Sequence, residues 1–162
     1  SAIRAEDGSL ALSLPAVSLD AETFADYAEY GLGALRAGRD AEARAGLEAA
    51  ERTYTGDFLE DDPYGDLAAP AREELRATFL AVVRALADLS RADGGVDDAA
   101  RYLLRLLAVD GYDEPAHRSL IRVLVAGGRH GEARRARERF AAAMADLGVP
   151  ADRDGRGTIR AG

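Results

Sequence analysis

The chain has no cysteine, which excludes disulfide frameworks and thiolate metal sites. A reducing compartment such as the cytoplasm suits it. It has no lysine either: apart from two histidines, every cationic side chain is an arginine. Without lysine, the phosphate loop that sets a lysine against nucleotide phosphates cannot be built. With alanine and glycine abundant, the arginine-only usage fits the codon bias of a GC-rich genome. No apolar run reaches the length of a membrane span and no signal peptide is visible, so no membrane partner is expected. No serine sits in a Gly-x-Ser-x-Gly elbow, and His117 and His130 do not form a His-Glu-x-x-His pair. No catalytic, cofactor-binding or metal-binding residue is therefore assigned. Positive charge is in deficit: the formal net charge is −8. Phosphates are repelled by such a balance unless a local patch dominates, so direct nucleic-acid binding is not expected of this chain. It begins at Ser1 without methionine, and we read it as a piece of a longer protein.

What is present is 162 residues, 48% of them hydrophobic, dominated by alanine and leucine with glutamate and arginine between. That composition favours helix, and the length suits one domain with a core of its own. Two segments organise the chain. Gly94 precedes Ala99 by five residues, Gly128 precedes Ala133 by five, and the two glycines lie 34 residues apart. This is the period of a tetratricopeptide helix-turn-helix repeat, in which small residues let two antiparallel helices approach after a tight turn. Gly38 and Ala43 make a third copy, 56 residues before Gly94, which is one period plus 22.

In chain order, residues 1–19 read as a β-hairpin. Ile3 to Ala5 and Leu10 to Leu14 are the strands, Asp7-Gly8 lies in the turn and Pro15 is the stop. Asp20 then reads as a helix N-cap, with Phe24, Tyr27, Ala28, Gly31 and Leu35 at helical spacing. Gly38 ends that helix, Asp40 starts the next, and Ala43, Leu47 and Ala50 face inward. Thr53 to Pro70 reads as an acidic loop with turn chemistry. A long helix is expected from Ala71 to Ala92, with Leu75, Phe79, Val82, Val83, Leu86 and Leu89 as its apolar stripe. After Gly94-Gly95, Asp97 or Asp98 can cap a helix bearing Ala99, Leu103, Leu106 and Leu107. Asp113 caps the following helix, with Pro115 in its first turn and Leu120, Ile121 and Leu124 inward. The last helix carries Ala133, Ala136, Phe140, Ala143, Met144 and Leu147. Residues 151–162 read as a tail.

Two charged stretches are the candidate interaction sites. Asp57, Glu60, Asp61, Asp62 and Asp66 crowd the loop without EF-hand spacing, so solvated acids are favoured over a cation site. Arg134, Arg135 and Arg139 belong to a basic stretch that also includes Arg129 and Arg137. It reads either as a solvated helix face with an Arg134–Glu138 pair or as a surface for an acidic partner. Tyr54, Phe58, Leu59 and Tyr64 are loop aromatics and apolar residues expected to fold back as anchors. The two histidines are read as exposed or half-buried.

The run Tyr54-Thr55-Gly56-Asp57-Phe58-Leu59, then a proline-containing acidic stretch and Arg72-Glu73-Glu74-Leu75, resembles the bacterial transcriptional activator domain of the actinobacterial antibiotic regulatory proteins. Leu106-Leu107-Ala108-Val109-Asp110, Glu114, the two glycine–alanine hairpins and Leu147-Gly148-Val149-Pro150 follow in matching order. Leu67 and Gly111 depart from it, standing where the family usually has tryptophan and proline; the second should loosen the turn that contains it. The resemblance implies a regulatory and oligomerisation domain that follows a winged-helix DNA-binding domain. It implies protein partners, among them a second copy and the transcription machinery, and promoter DNA only through the winged helix, which this chain lacks.

The expectation is thus an all-α, tetratricopeptide-like right-handed stack of three helical hairpins over residues 20–150, preceded by a β-hairpin remnant. Its role would be protein–protein interaction, without cofactor or enzymatic activity. The alternative is a tetratricopeptide scaffold or sensor module in a larger signalling protein. The arginines of the last helix and the loop acids are opposite in sign, so head-to-tail self-contact is a further expectation.

Overall fold

The computed structural model describes residues 7–54 and 65–148, with side chains described for 20–54 and 69–148. Among the described residues the protein is entirely helical and has no strand. Helix α1 spans Asp7–Arg36, α2 Asp40–Thr53, α3 Gly65–Ala92, α4 Val96–Val109, α5 Glu114–Ala126 and α6 His130–Asp146. The helices pair in chain order, α1 with α2, α3 with α4 and α5 with α6. The pairs join through contacts of α2 and α1 with α3, and of α4 with α5.

The three glycine–alanine segments form the three hairpin turns, and their backbone chemistry is the same each time. Gly38, Gly94 and Gly128 have φ of +71°, +76° and +72°, a left-handed conformation that costs other residues a clash at Cβ. Each glycine N–H donates to the carbonyl three residues back, at 3.0, 3.1 and 3.0 Å. The next N–H reaches five back, from Arg39 to Ala34 (3.0 Å), Gly95 to Ser90 (2.8 Å) and Arg129 to Leu124 (2.8 Å). This is the Schellman closure of a helix end. The alanines that complete the pattern, Ala43, Ala99 and Ala133, are fully buried.

Small residues also set the closeness of α1 and α2. A Cβ on Gly31 would stand 2.7 Å from the backbone nitrogen of Leu47, and one on Gly46 would stand 2.9 Å from the Gly31 Cα. The two backbones touch there, which only glycine on both helices permits. Phe24, Leu47, Phe79, Leu86, Leu106 and Leu120 fill the core without exposure. The stripe expected on α2 is buried as read; on α4 and α6 it is buried except for Leu107 and Ala143, which are half-buried, and Tyr27 on α1 and Leu147 after α6 face solvent.

Four boundaries differ from the sequence reading. Leu10 to Leu14 are helical, not a strand, and Asp20 lies inside α1 instead of capping it. The period-two leucines mimic a strand, yet leucine and alanine are strong helix formers. Extending an existing helix gains one hydrogen bond per residue, whereas a lone hairpin is marginal in water. The start of the expected hairpin, residues 1–6, lies outside the described residues. Helix α3 begins at Gly65, six residues before the expected Ala71, and carries Pro70 inside it. Helix α4 has Gly95 at its N-cap with no side-chain cap, so Asp97 and Asp98 sit in its first turn instead. There they still favour the positive end of the helix dipole. At α5 the reading holds: Asp113 accepts a hydrogen bond from the Ala116 N–H at 2.8 Å, and Pro115 occupies the first turn.

Candidate interaction surface

One opening on the described surface lies between α4, α5 and α6. Leu103-Leu104 and Leu106-Leu107 put four leucines on one helix of fourteen residues. A helix has one inward stripe, so a surplus leucine must face out. Leu103 and Leu106 are buried, and Leu104 is left 47% exposed. Leu104 and Ala100 of α4, with Leu120 and Leu124 of α5, line a cleft of about 190 Å³. Its other wall is α6, which contributes Arg135 and Arg139.

Charge on this rim is uneven. Arg129 holds Glu132 through two hydrogen bonds, 2.8 and 2.6 Å, and reaches Asp97 of α4 at 2.8 Å. This ties the start of α6 to the start of α4. The Glu132 carboxyl is held below the usual carboxylate range, first by the hydrogen bond from Arg129 and with help from the nearby charges of Arg129 and Arg135. That carboxylate is therefore charged and already paired with Arg129. Arg135 and Arg139 are exposed. They lie one helical turn apart, and neither has an ion-pair partner among the described residues. Two like charges at that spacing repel.

A second, smaller opening of about 70 Å³ lies between α3 and α5, lined by Arg84, Asp88, Arg91 and Ser119 among others. Its cations are spoken for: Arg84 pairs with Asp113 and Arg91 with Asp88 at 3.5 Å. The less satisfied cleft is thus the one walled by α4 and α6, with α5 between them.

Of the residues singled out in the sequence, Arg135 and Arg139 meet in the cleft. Arg134 does not; it points to solvent and approaches Glu138 at 3.6 Å, the pair expected of a solvated helix face. Asp57, Glu60 and Asp61 lie outside the described residues, as do Phe58, Leu59 and Tyr64. Tyr54 does fold back. Its ring stacks on Phe79 at 3.9 Å and 13°, and tilts against Phe24 at 5.2 Å. Arg105 of α4 donates to the Tyr54 carbonyl at 3.2 Å and to Glu51 of α2 at 2.8 Å. The start of the acidic segment is thereby fixed on the α2 side of α4. His117 is buried, not half-exposed, and its Nε2–H donates to the Gly111 carbonyl at 2.9 Å. Asp110 accepts from the Tyr112 N–H at 3.1 Å, so side chains on both flanks hold the turn that contains Gly111. Sequence reasoning missed Leu104, whose signal was the surplus of leucines on α4.

A family model, the bacterial transcriptional activator domain, matches residues 19–159. The chain belongs to this family. No curated protein and no solved structure matches it. The matched span of this bacterial transcriptional activator domain takes in all three hairpin turns, the Tyr54 anchor and the α4–α6 cleft. Among the described residues of the domain, no group of three or more acidic, histidine or cysteine side chains is placed to hold a metal ion. No helix among them is long and apolar enough to cross a membrane.

Proposed function

We propose that this bacterial transcriptional activator domain is the regulatory and self-associating part of a DNA-binding transcription regulator. It works by protein–protein contact, without catalysis or a cofactor. Family membership over residues 19–159 carries the reading. The three hairpins with matching turns support a tetratricopeptide-like stack, an architecture whose extended faces take up other chains. Its partners are proteins: a second copy of the domain and the transcription machinery. Promoter DNA is read by a winged helix outside this chain, in keeping with the net charge of −8. The compartment is the cytoplasm, where transcription takes place in bacteria.

The test fuses the domain to an unrelated bacterial DNA-binding domain and measures transcription from a reporter carrying that domain's operator. Transcription should rise with the fusion and not with the DNA-binding domain alone. An abundant, folded fusion that leaves transcription unchanged would overturn the transcriptional role. A scaffold role in a signalling protein would then take its place.

A further inference from the structure

The α4–α6 cleft combines three properties seldom found together on a surface that only meets water. Its floor includes a large apolar side chain, Leu104, left half exposed. Its rim carries Arg135 and Arg139 in mutual repulsion, although the chain has eight more negative than positive charges. The one acid on that rim, Glu132, is already taken up by Arg129. An occupant that suits the cleft therefore brings several carboxylates flanking an apolar side chain.

The chain itself contains such a segment. Asp57-Phe58-Leu59-Glu60-Asp61-Asp62 places four acids around adjacent phenylalanine and leucine. We infer that the α4–α6 cleft is the docking site for the Asp57–Asp62 segment of a second copy of this chain. The inference rests on the self-association proposed above and gives it an address. The carboxylates relieve the repulsion between Arg135 and Arg139, while Phe58 or Leu59 covers Leu104.

Chain length argues for a second copy over the same molecule. Helix α4 stands between α2 and α6, joined to α2 by Arg105–Glu51 and to α6 by Arg129–Asp97. The acidic segment leaves from Tyr54, held on the α2 side, and must return to Gly65 at the start of α3. Reaching α6 and coming back crosses two interhelical spacings twice, roughly 32–40 Å. The eleven links from Tyr54 to Gly65 span at most about 36–40 Å when fully extended. A contact within the same chain would need an almost fully extended segment, with at most about 8 Å left to lie in the cleft, about two residues.

A charge swap tests this on the whole chain by sedimentation across a concentration series. Arg135→Glu with Arg139→Glu is one variant; Asp57→Arg with Glu60→Arg and Asp61→Arg is the other. Circular dichroism checks that each keeps the helical content of the parent. Each variant alone should associate at least about tenfold more weakly than the parent, and the parent itself should weaken in high salt. An equimolar mixture of the two should recover association, since both cleft-to-segment contacts are then attractive. A parent dimer that neither variant weakens, or a mixture that fails to recover, removes the cleft and leaves self-association standing. A parent that stays monomeric at every concentration in low salt removes self-association together with the cleft, while the reporter assay still decides the transcriptional role.

Discussion

The two junctions between hairpins solve the same problem by different means. Between α4 and α5 the chain turns in four residues, Asp110 to Asp113. The turn is closed by local polar groups: the Asp113 cap, the Asp110 side chain and the bond from His117 to the Gly111 carbonyl. Between α2 and α3 the described contacts are of another kind. Tyr54 inserts between Phe24 and Phe79, and Arg105 grips its carbonyl from α4. One junction is held by hydrogen bonds within a few residues, the other by rings and an arginine drawn from three helices. A junction of the second kind couples α1, α3 and α4 at one point, so a single truncation there loosens several helices at once.

On that contrast, the aromatic junction fails hardest. Phe79→Ala should cost about 3–5 kcal/mol, because it empties a fully buried site and removes the ring under Tyr54. Urea unfolding would measure it, and a loss below about 1 kcal/mol would contradict the role given to the stack. Tyr54→Ala should cost less, about 0.5–3 kcal/mol. A double-mutant cycle with Phe79 should return a coupling of about 0.5–1.5 kcal/mol if the two rings act as a pair. At the polar junction, Asp113→Ala removes the α5 cap and the partner of Arg84, for an expected loss of about 0.5–2 kcal/mol. Equal losses from Asp113→Ala and Phe79→Ala would erase the distinction between the junctions.

The smallest effect concerns the clamp that joins α6 to α4. Bonding to Arg129 lowers the Glu132 carboxyl below its ordinary range. Its contribution is therefore present above the unfolded carboxylate range and is lost as pH falls through the lower, folded value. Side-chain carboxyl NMR should show Glu132 titrating below an unpaired glutamate, and Arg129→Ala should move it upward. Titration at the ordinary position in the parent would show the clamp open in solution.

Most of this architecture was legible in the chain, for identifiable reasons. Gly38, Gly94 and Gly128 signalled the turns because a left-handed position admits few residues, and their distance from Ala43, Ala99 and Ala133 was constant. The helix starts were less legible. Leu10, Leu12 and Leu14 satisfy a strand period and helix propensity alike, and only the neighbouring helix decides between them. Asp97 and Asp98 look like caps, yet the Schellman turn before them already sets where α4 begins. Arg135 and Arg139 could be named from the sequence as a basic stretch. Their separation from Arg134 could not, because it depends on which side of α6 faces the cleft. Leu104 escaped because periodicity finds the buried stripe and passes over the leucine left outside it.

The cations on the rim of the α4–α6 cleft are all guanidinium groups, in a chain with no lysine at all. Guanidinium keeps its charge throughout the physiological pH range and is not a substrate for lysine acylation. The attraction this rim exerts is therefore constant. It cannot be switched off by acetyl transfer or by the pH swings a cell experiences. Any adjustment of binding strength has to be made on the acidic side of the contact, through the sequence or modification of whatever occupies the cleft, or through the salt around it.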